Sequence, residues 1–152
     1  MQTHPNDDKE PSLYILMISV HGLIRANDME LGINADTGGQ TKYVVELTKS
    51  LAQHPQVAKV DLLTRLIDDD AVDADYARAE EQLSENTRII RLQADPKKYI
   101  RKELLWKHLD QMVDKCLQFL RKQGQLPDFI HAYYAEFHIH NRTKTVLTKF
   151  LI

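Results

Sequence analysis

The feature that most constrains this chain is the run Leu13-Tyr14-Ile15-Leu16-Met17-Ile18-Ser19-Val20, apolar at nearly every position. It shows no alternation, so a strand built from it must bury both faces. Strands of that kind belong to parallel sheets covered by helices on either side. The rest of the sequence supplies the partners. After a long loop over 21–37, Gly38-Gly39-Gln40 opens a helical pattern in which Tyr43, Val44, Leu47 and Leu51 share a face, and His54-Pro55 closes it. Residues 60–64 predict a second strand, and 88–92 a third. The acidic stretch 68–81 between them predicts a surface excursion. A long amphipathic helix is expected from near Ile100, with Leu105, Leu109, Met112, Val113, Cys116, Leu117 and Leu120 in one stripe. Gly124 suits its C-cap and Pro127 its stop. Residues 129–132 predict a fourth short strand. Strands alternating with helices make this an α/β chain with an incomplete, Rossmann-like parallel sheet.

Composition narrows the function classes. With 152 residues the chain has enough length for one domain with a real core. Its net charge of -2 offers no basic footprint for nucleic acid. The apolar run at 13–20 is far shorter than the ~20 residues a membrane span requires. Cys116 is the single cysteine, so no intrachain disulfide forms, and a cytoplasmic setting is expected. Residues 1–11 are polar and predict a disordered lead-in.

The chemistry concentrates at Asp36-Thr37-Gly38-Gly39-Gln40-Thr41. The motif follows a buried strand and opens a helix. Glycines there let a ligand approach the main chain. A helix start presents unpaired N–H groups and partial positive charge, which suit phosphate. In open α/β sheets, ligands gather at the carboxyl ends of the strands. Gln40 adds an amide that can bond sugar hydroxyls. The loop is neither a GxGxxG fingerprint nor a Walker loop, and a packing turn is the competing reading.

Longer words extend the motif: His21-Gly22-Leu23-Ile24-Arg25, Glu30-Leu31-Gly32, and the glycine loop running on through Lys42-Tyr43-Val44-Val45-Glu46-Leu47. Further along stand Asp61-Leu62-Leu63-Thr64-Arg65, Lys98-Tyr99-Ile100-Arg101-Lys102-Glu103-Leu104-Leu105-Trp106, and Pro127-Asp128-Phe129-Ile130-His131-Ala132-Tyr133-Tyr134-Ala135. In this order the words resemble the N-terminal part of sucrose-phosphate synthases, retaining family 4 glycosyltransferases of GT-B fold. Sucrose synthases share the glycine loop but not the other wording. The resemblance implies a domain over 12–136 facing a second, nucleotide-sugar domain across a cleft. It implies glucose transfer from UDP-glucose to fructose 6-phosphate, giving sucrose 6-phosphate, with no cofactor and no metal. By matching position, Gly38 and Gln40 would contact fructose 6-phosphate. Gly39 would offer its N–H to the UDP-glucose diphosphate, and Lys98 would bind the acceptor. Catalytic residues are expected beyond this chain.

The resemblance ends near residue 136. Where the family reads His-x-His-Tyr-Ala-Asp-Ala-Gly, this chain has His131-Ala132-Tyr133-Tyr134-Ala135-Glu136-Phe137-His138. Residues 137–152 are read as a divergent tail, and the chain as a truncated synthase lacking its C-terminal partner domain and inactive alone. A sugar-phosphate-binding module without turnover and the remnant of a disrupted gene are the alternatives. His138 and His140 read as incidental rather than metal-ligating, and Cys116 as a buried structural thiol. Trp106 is expected in the core or at the cleft wall, Arg101 and Lys102 on a solvated helix start, and residues 68–70 in a solvated acidic turn. His21 is left open between a cleft residue and a loop histidine.

Overall fold

The computed structural model describes residues 10–27 and 39–133. Residues 1–9 of the lead-in expected over 1–11, residues 28–38 including Gly38, and residues 134–152 including the whole expected tail over 137–152 lie outside the described residues. The chain forms β1 (Leu13–Ile18), α1 (Gly39–Ala52), β2 (Val57–Arg65), β3 (Glu80–Ser84), β4 (Thr87–Leu92), α2 (Lys102–Leu105), α3 (Leu109–Gln123) and β5 (Phe129–Ala132). Short 3-10 turns fill Ala74–Ala77 and Trp106–His108. The strand order is β3-β4-β2-β1-β5. All neighbours run parallel except β3, which returns antiparallel along β4.

Period-two alternation sorts the core into two layers. On one face Met17, Val60, Leu62 and Ile89 pack with Val44 and Val45 of α1. On the other, Leu16, Ile18, Leu63, Ile90 and Ile130 pack with Met112, Cys116 and Leu120 of α3. The helices cover opposite faces of one sheet, as the uninterrupted apolar run of β1 requires. Val44 and Val45 are fully buried, and each such side chain stabilises the fold by about 1.5–3 kcal/mol. At the end of α3, Gly124 adopts the left-handed conformation (φ 71°, ψ 14°), and its N–H bonds the Leu120 and Arg121 carbonyls. That is the C-cap expected from the sequence.

Two elements differ from the sequence reading. The excursion over 68–81 runs into β3, whose burial alternates without a fully buried residue. An edge strand with one apolar residue, Leu83, carries too little pattern to be seen in sequence. The helix expected from Ile100 is divided: α2 ends at Leu105, a 3-10 turn intervenes, and α3 begins at Leu109. Leu105 is buried and Leu109 packs against the α3 layer, as the stripe requires, while Leu104 and Trp106 are 54% and 52% exposed. Trp106 therefore lies on the surface, not in the core. No described helix is long and apolar enough to cross a membrane.

Candidate functional site

The chain builds from β1 outward to β2 and β4, then returns to the other side of β1 as β5. The strand order thus reverses at the carboxyl ends of β1 and β5, the place where open sheets leave a crevice. Three segments converge there. The first is the exit of β1, where His21 is 5% exposed and Gly22 turns the chain at φ 85°, a conformation that suits glycine. The second is the start of α1. Gly39 is its first residue and is exposed, and a Cβ placed on it would meet nothing within 4 Å. The third is the exit of β5, tied to β1 by the Tyr133 N–H donating to the Ile18 carbonyl at 2.9 Å. The Tyr133 ring meets Tyr43 of α1 edge-on, with centroids 6.1 Å apart, and His131 at 4.8 Å.

His21 and Gln40 join the first two segments. His21 Nε2 lies 3.2 Å from Gln40 Oε1. With Nε2 donating, the amide oxygen is engaged and the Gln40 amide NH2 is left as the donor for a ligand. The histidine left open by the sequence is thus a buried neighbour of the proposed ligand residue.

Lys98 sits on the same edge of the sheet, two strands away, on the loop that follows β4. Adjacent strands lie about 4.8 Å apart, so the offset across the sheet is on the order of 10 Å. Its side chain is exposed. The main chain around it is bound to the exit of β2. Arg65 Nη1 donates to the Pro96 and Lys98 carbonyls at 2.7 and 2.8 Å. The Asp68 N–H donates to the Lys97 carbonyl at 2.8 Å, and the Tyr99 N–H to Asp69 Oδ2 at 3.1 Å. The Asp69 carboxyl is held below the usual range by the Ala71 N–H, then by the Tyr99 N–H, with the Lys98 charge adding to them. The acidic turn at 68–70 is therefore more than a solvated surface: Asp69 fastens the Lys98 loop. Arg65 is buried, which pulls its pKa below the ordinary guanidinium value.

A small apolar cluster connects the two halves of the edge. Leu23, just past His21, packs with Ile67 past β2 and Tyr76, and Tyr99 lies against them. Arg91 Nη2 reaches the Ile24 carbonyl at 2.9 Å and also pairs with Glu81, so β4 and β3 grip the same β1 exit. Gly39 and Gln40 are thus linked to Lys98 through packed residues, without direct contact among the described ones. A cavity of about 470 Å³ lies elsewhere, between β3, β4 and α3, lined by Glu80, Ile90, Phe119 and Lys122 among others. It runs along β4 from Arg88 to Leu92 and holds none of the proposed ligand residues.

Among the described residues no cluster of three or more potential metal ligands exists, and His138 and His140 lie outside them. Cys116 is buried within the α3 stripe, and burial pushes its thiol up to about 12, as befits a structural rather than a reactive sulfur. Sequence reasoning missed Arg65. A basic residue closing an apolar strand was the available signal.

No protein-family model matches the chain. Similar proteins are nonetheless numerous and consistent. The chain is 41% identical to a probable sucrose-phosphate synthase 2 of Arabidopsis thaliana over 84% of its own length, and 39% identical to the sucrose-phosphate synthase of Spinacia oleracea over 90%. It spans about 15% of the length of either. Among solved structures, the sucrose-phosphate synthase of Thermosynechococcus elongatus matches with a TM-score of 0.59 and 31% identity, covering 80% of this chain and 27% of that one.

Proposed function

We propose, because the chain belongs to the sucrose-phosphate synthase family, that it builds the acceptor side of a retaining glycosyltransferase. In this reading the whole GT-B enzyme moves glucose from UDP-glucose to fructose 6-phosphate, in the cytoplasm. The nucleotide-sugar side and the catalytic groups belong to the part of the family's length that this chain does not span. Gly38 and Gln40 bind the acceptor sugar, Gly39 offers its N–H to the donor diphosphate, and Lys98 answers the acceptor's negative charge.

The observation that carries the reading is the seating of Gly39 and Gln40. They open a helix of 14 residues at the point where the strand order reverses, with the Gln40 amide oxygen against His21. A helix start of that length provides free N–H donors and positive potential for phosphate. The exposed Lys98 adds a mobile positive charge on the same edge. Backbone donors at a leaving diphosphate would stabilise charge as it develops.

Calorimetric titration of the chain with fructose 6-phosphate and with fructose tests the reading. Saturable binding of the phosphorylated sugar is expected, with fructose much weaker. Gln40→Ala and Lys98→Ala should each weaken fructose 6-phosphate binding roughly tenfold, the worth of one hydrogen bond to a charged group. Equal affinity for both sugars, or full binding by both variants, would sink the assignment.

A further inference from the structure

Arg65 closes β2 directly beneath the Lys98 loop and is 3% exposed. Its Nη1 donates to two main-chain carbonyls, those of Pro96 and Lys98. Among the described residues no carboxylate pairs with it, and its Nε meets no acceptor. A buried guanidinium without a counter-ion is costly to retain for packing alone. Both bonds come from the one nitrogen Nη1, whose two N–H directions are fixed by the guanidinium plane, whereas a lysine ammonium rotates freely.

The contacts form one device. Arg65, Asp68 and Asp69 all leave β2 or the turn just after it, and all bind the main chain of residues 96–99. Each bond holds backbone and none engages the Lys98 side chain, which stays exposed. The loop is therefore stiff where it carries Lys98 and open where Lys98 acts. Tyr99, next in sequence, packs on the cluster of Leu23, Ile67 and Tyr76, so the loop is fixed relative to the β1 exit as well.

We propose that Arg65 is a positioning residue that, with Asp69, aims Lys98 at the anionic group of a phosphorylated sugar acceptor. The ligand half rests on the function proposed above. The loop half stands on the contacts alone, and the test separates them.

Amide exchange, read by NMR on the full chain, reports the loop. Tyr99 donates to Asp69 and Asp68 donates to Lys97, so these two amides open only when the loop lifts. Arg65→Lys should speed their exchange about tenfold or more while the Leu62 and Ile89 amides keep their rates. Titration with fructose 6-phosphate reports the ligand. Arg65→Lys should lower affinity about tenfold, and should lower it no further once Lys98→Ala is present. Unchanged Tyr99 exchange, uniformly faster exchange, or additive losses with Lys98→Ala would each overturn the proposal. If Arg65→Lys does not fold, Asp69→Asn loosens the same loop from the surface and must reproduce the coupled loss; an unaltered affinity there overturns it equally. If the unmodified chain binds no fructose 6-phosphate, the acceptor reading and the ligand half fall together, and the exchange rates alone judge whether Arg65 holds the loop.

Discussion

Asp61 lies at the centre of β2 with a fully buried side chain, and replacing it should cost a large share of the fold's stability. Its carboxylate accepts from the Tyr14 hydroxyl at 2.7 Å and from Arg88 Nε at 2.8 Å, with Lys59 Nζ at 3.4 Å. Gln123, at the end of α3, donates to the Tyr14 hydroxyl at 2.9 Å and accepts from Lys59 at 3.2 Å, so the network binds β1, β2, β4 and α3. Asp61→Ala orphans the Tyr14 proton, at about 1–3 kcal/mol, and removes a charge-assisted bond worth about 1.5–3 kcal/mol. The loss is moderated because Arg88 keeps Glu80 at 3.1 Å and is 25% exposed, and because Lys59 reaches solvent. A net cost of about 3–5 kcal/mol follows, in line with breaking a buried pair from one side. Against a domain stability of about 5–15 kcal/mol, that is about a fifth of the whole or more. Asp61→Asn keeps the shape and one acceptor, and should cost about half as much. Urea unfolding at neutral pH, followed by far-ultraviolet circular dichroism, measures both. An Asp61→Ala loss below about 1 kcal/mol would refute the network's role and show that solvent substitutes for it.

Three further outcomes are expected. Gly124→Ala places a Cβ in open space but in the left-handed region, so it should cost about 1 kcal/mol from backbone strain alone, with Gly124→Asn closer to the parent in thermal unfolding. Cys116 has its pKa raised by burial from 9.0 to about 12, so the folded chain holds its proton where the unfolded chain releases it. Its contribution is full below pH 9.0 and is lost progressively toward pH 12, with a limiting slope of about 1.4 kcal/mol per pH unit; Cys116→Ala should flatten that alkaline decline, and an unchanged slope would contradict it. His21→Leu, close to histidine in size, releases the Gln40 amide, so fructose 6-phosphate binding should weaken several-fold, as titration would show.

Much of the fold was legible because its signals are redundant. β1, β2, β4 and β5 are short apolar runs, and α3 carries a stripe of buried residues ended by Gly124; in α1 the buried residues are Thr41, Val44, Val45 and Thr48, while Tyr43 of the expected face is 58% exposed. β3 escaped because an edge strand buries little and needs little apolar pattern. The break between α2 and α3 escaped because Leu105, Leu109 and Met112 keep helical spacing in sequence, whereas the chain turns at Trp106–His108 to leave Trp106 in solvent. At the proposed site, the glycine loop was readable as a helix start suited to phosphate, whereas Lys98 entered only through the family resemblance. Arg65 and Asp69 stood out only as a basic strand end and an acidic turn; their partners, main-chain groups about thirty residues away, leave no trace in residue identity.

The two ends of the sheet perform different work. In the amino half, Tyr14, Asp61, Arg88, Lys59 and Gln123 satisfy one another side chain to side chain, which locks strands and helix together. At the carboxyl end, Arg65, Asp69 and Arg91 spend their hydrogen bonds largely on main chain, so the loops are held while the Lys98 side chain stays exposed and Gln40 stays paired with His21. Ligand groups contributed from loops can be as well placed as groups on strands when the loop backbone is fixed from beneath. The parallel arrangement makes this possible, since every parallel strand delivers its following loop to the same edge. Exchanging a main-chain anchor should therefore alter ligand affinity more than stability, and exchanging a member of the amino-end network should do the reverse.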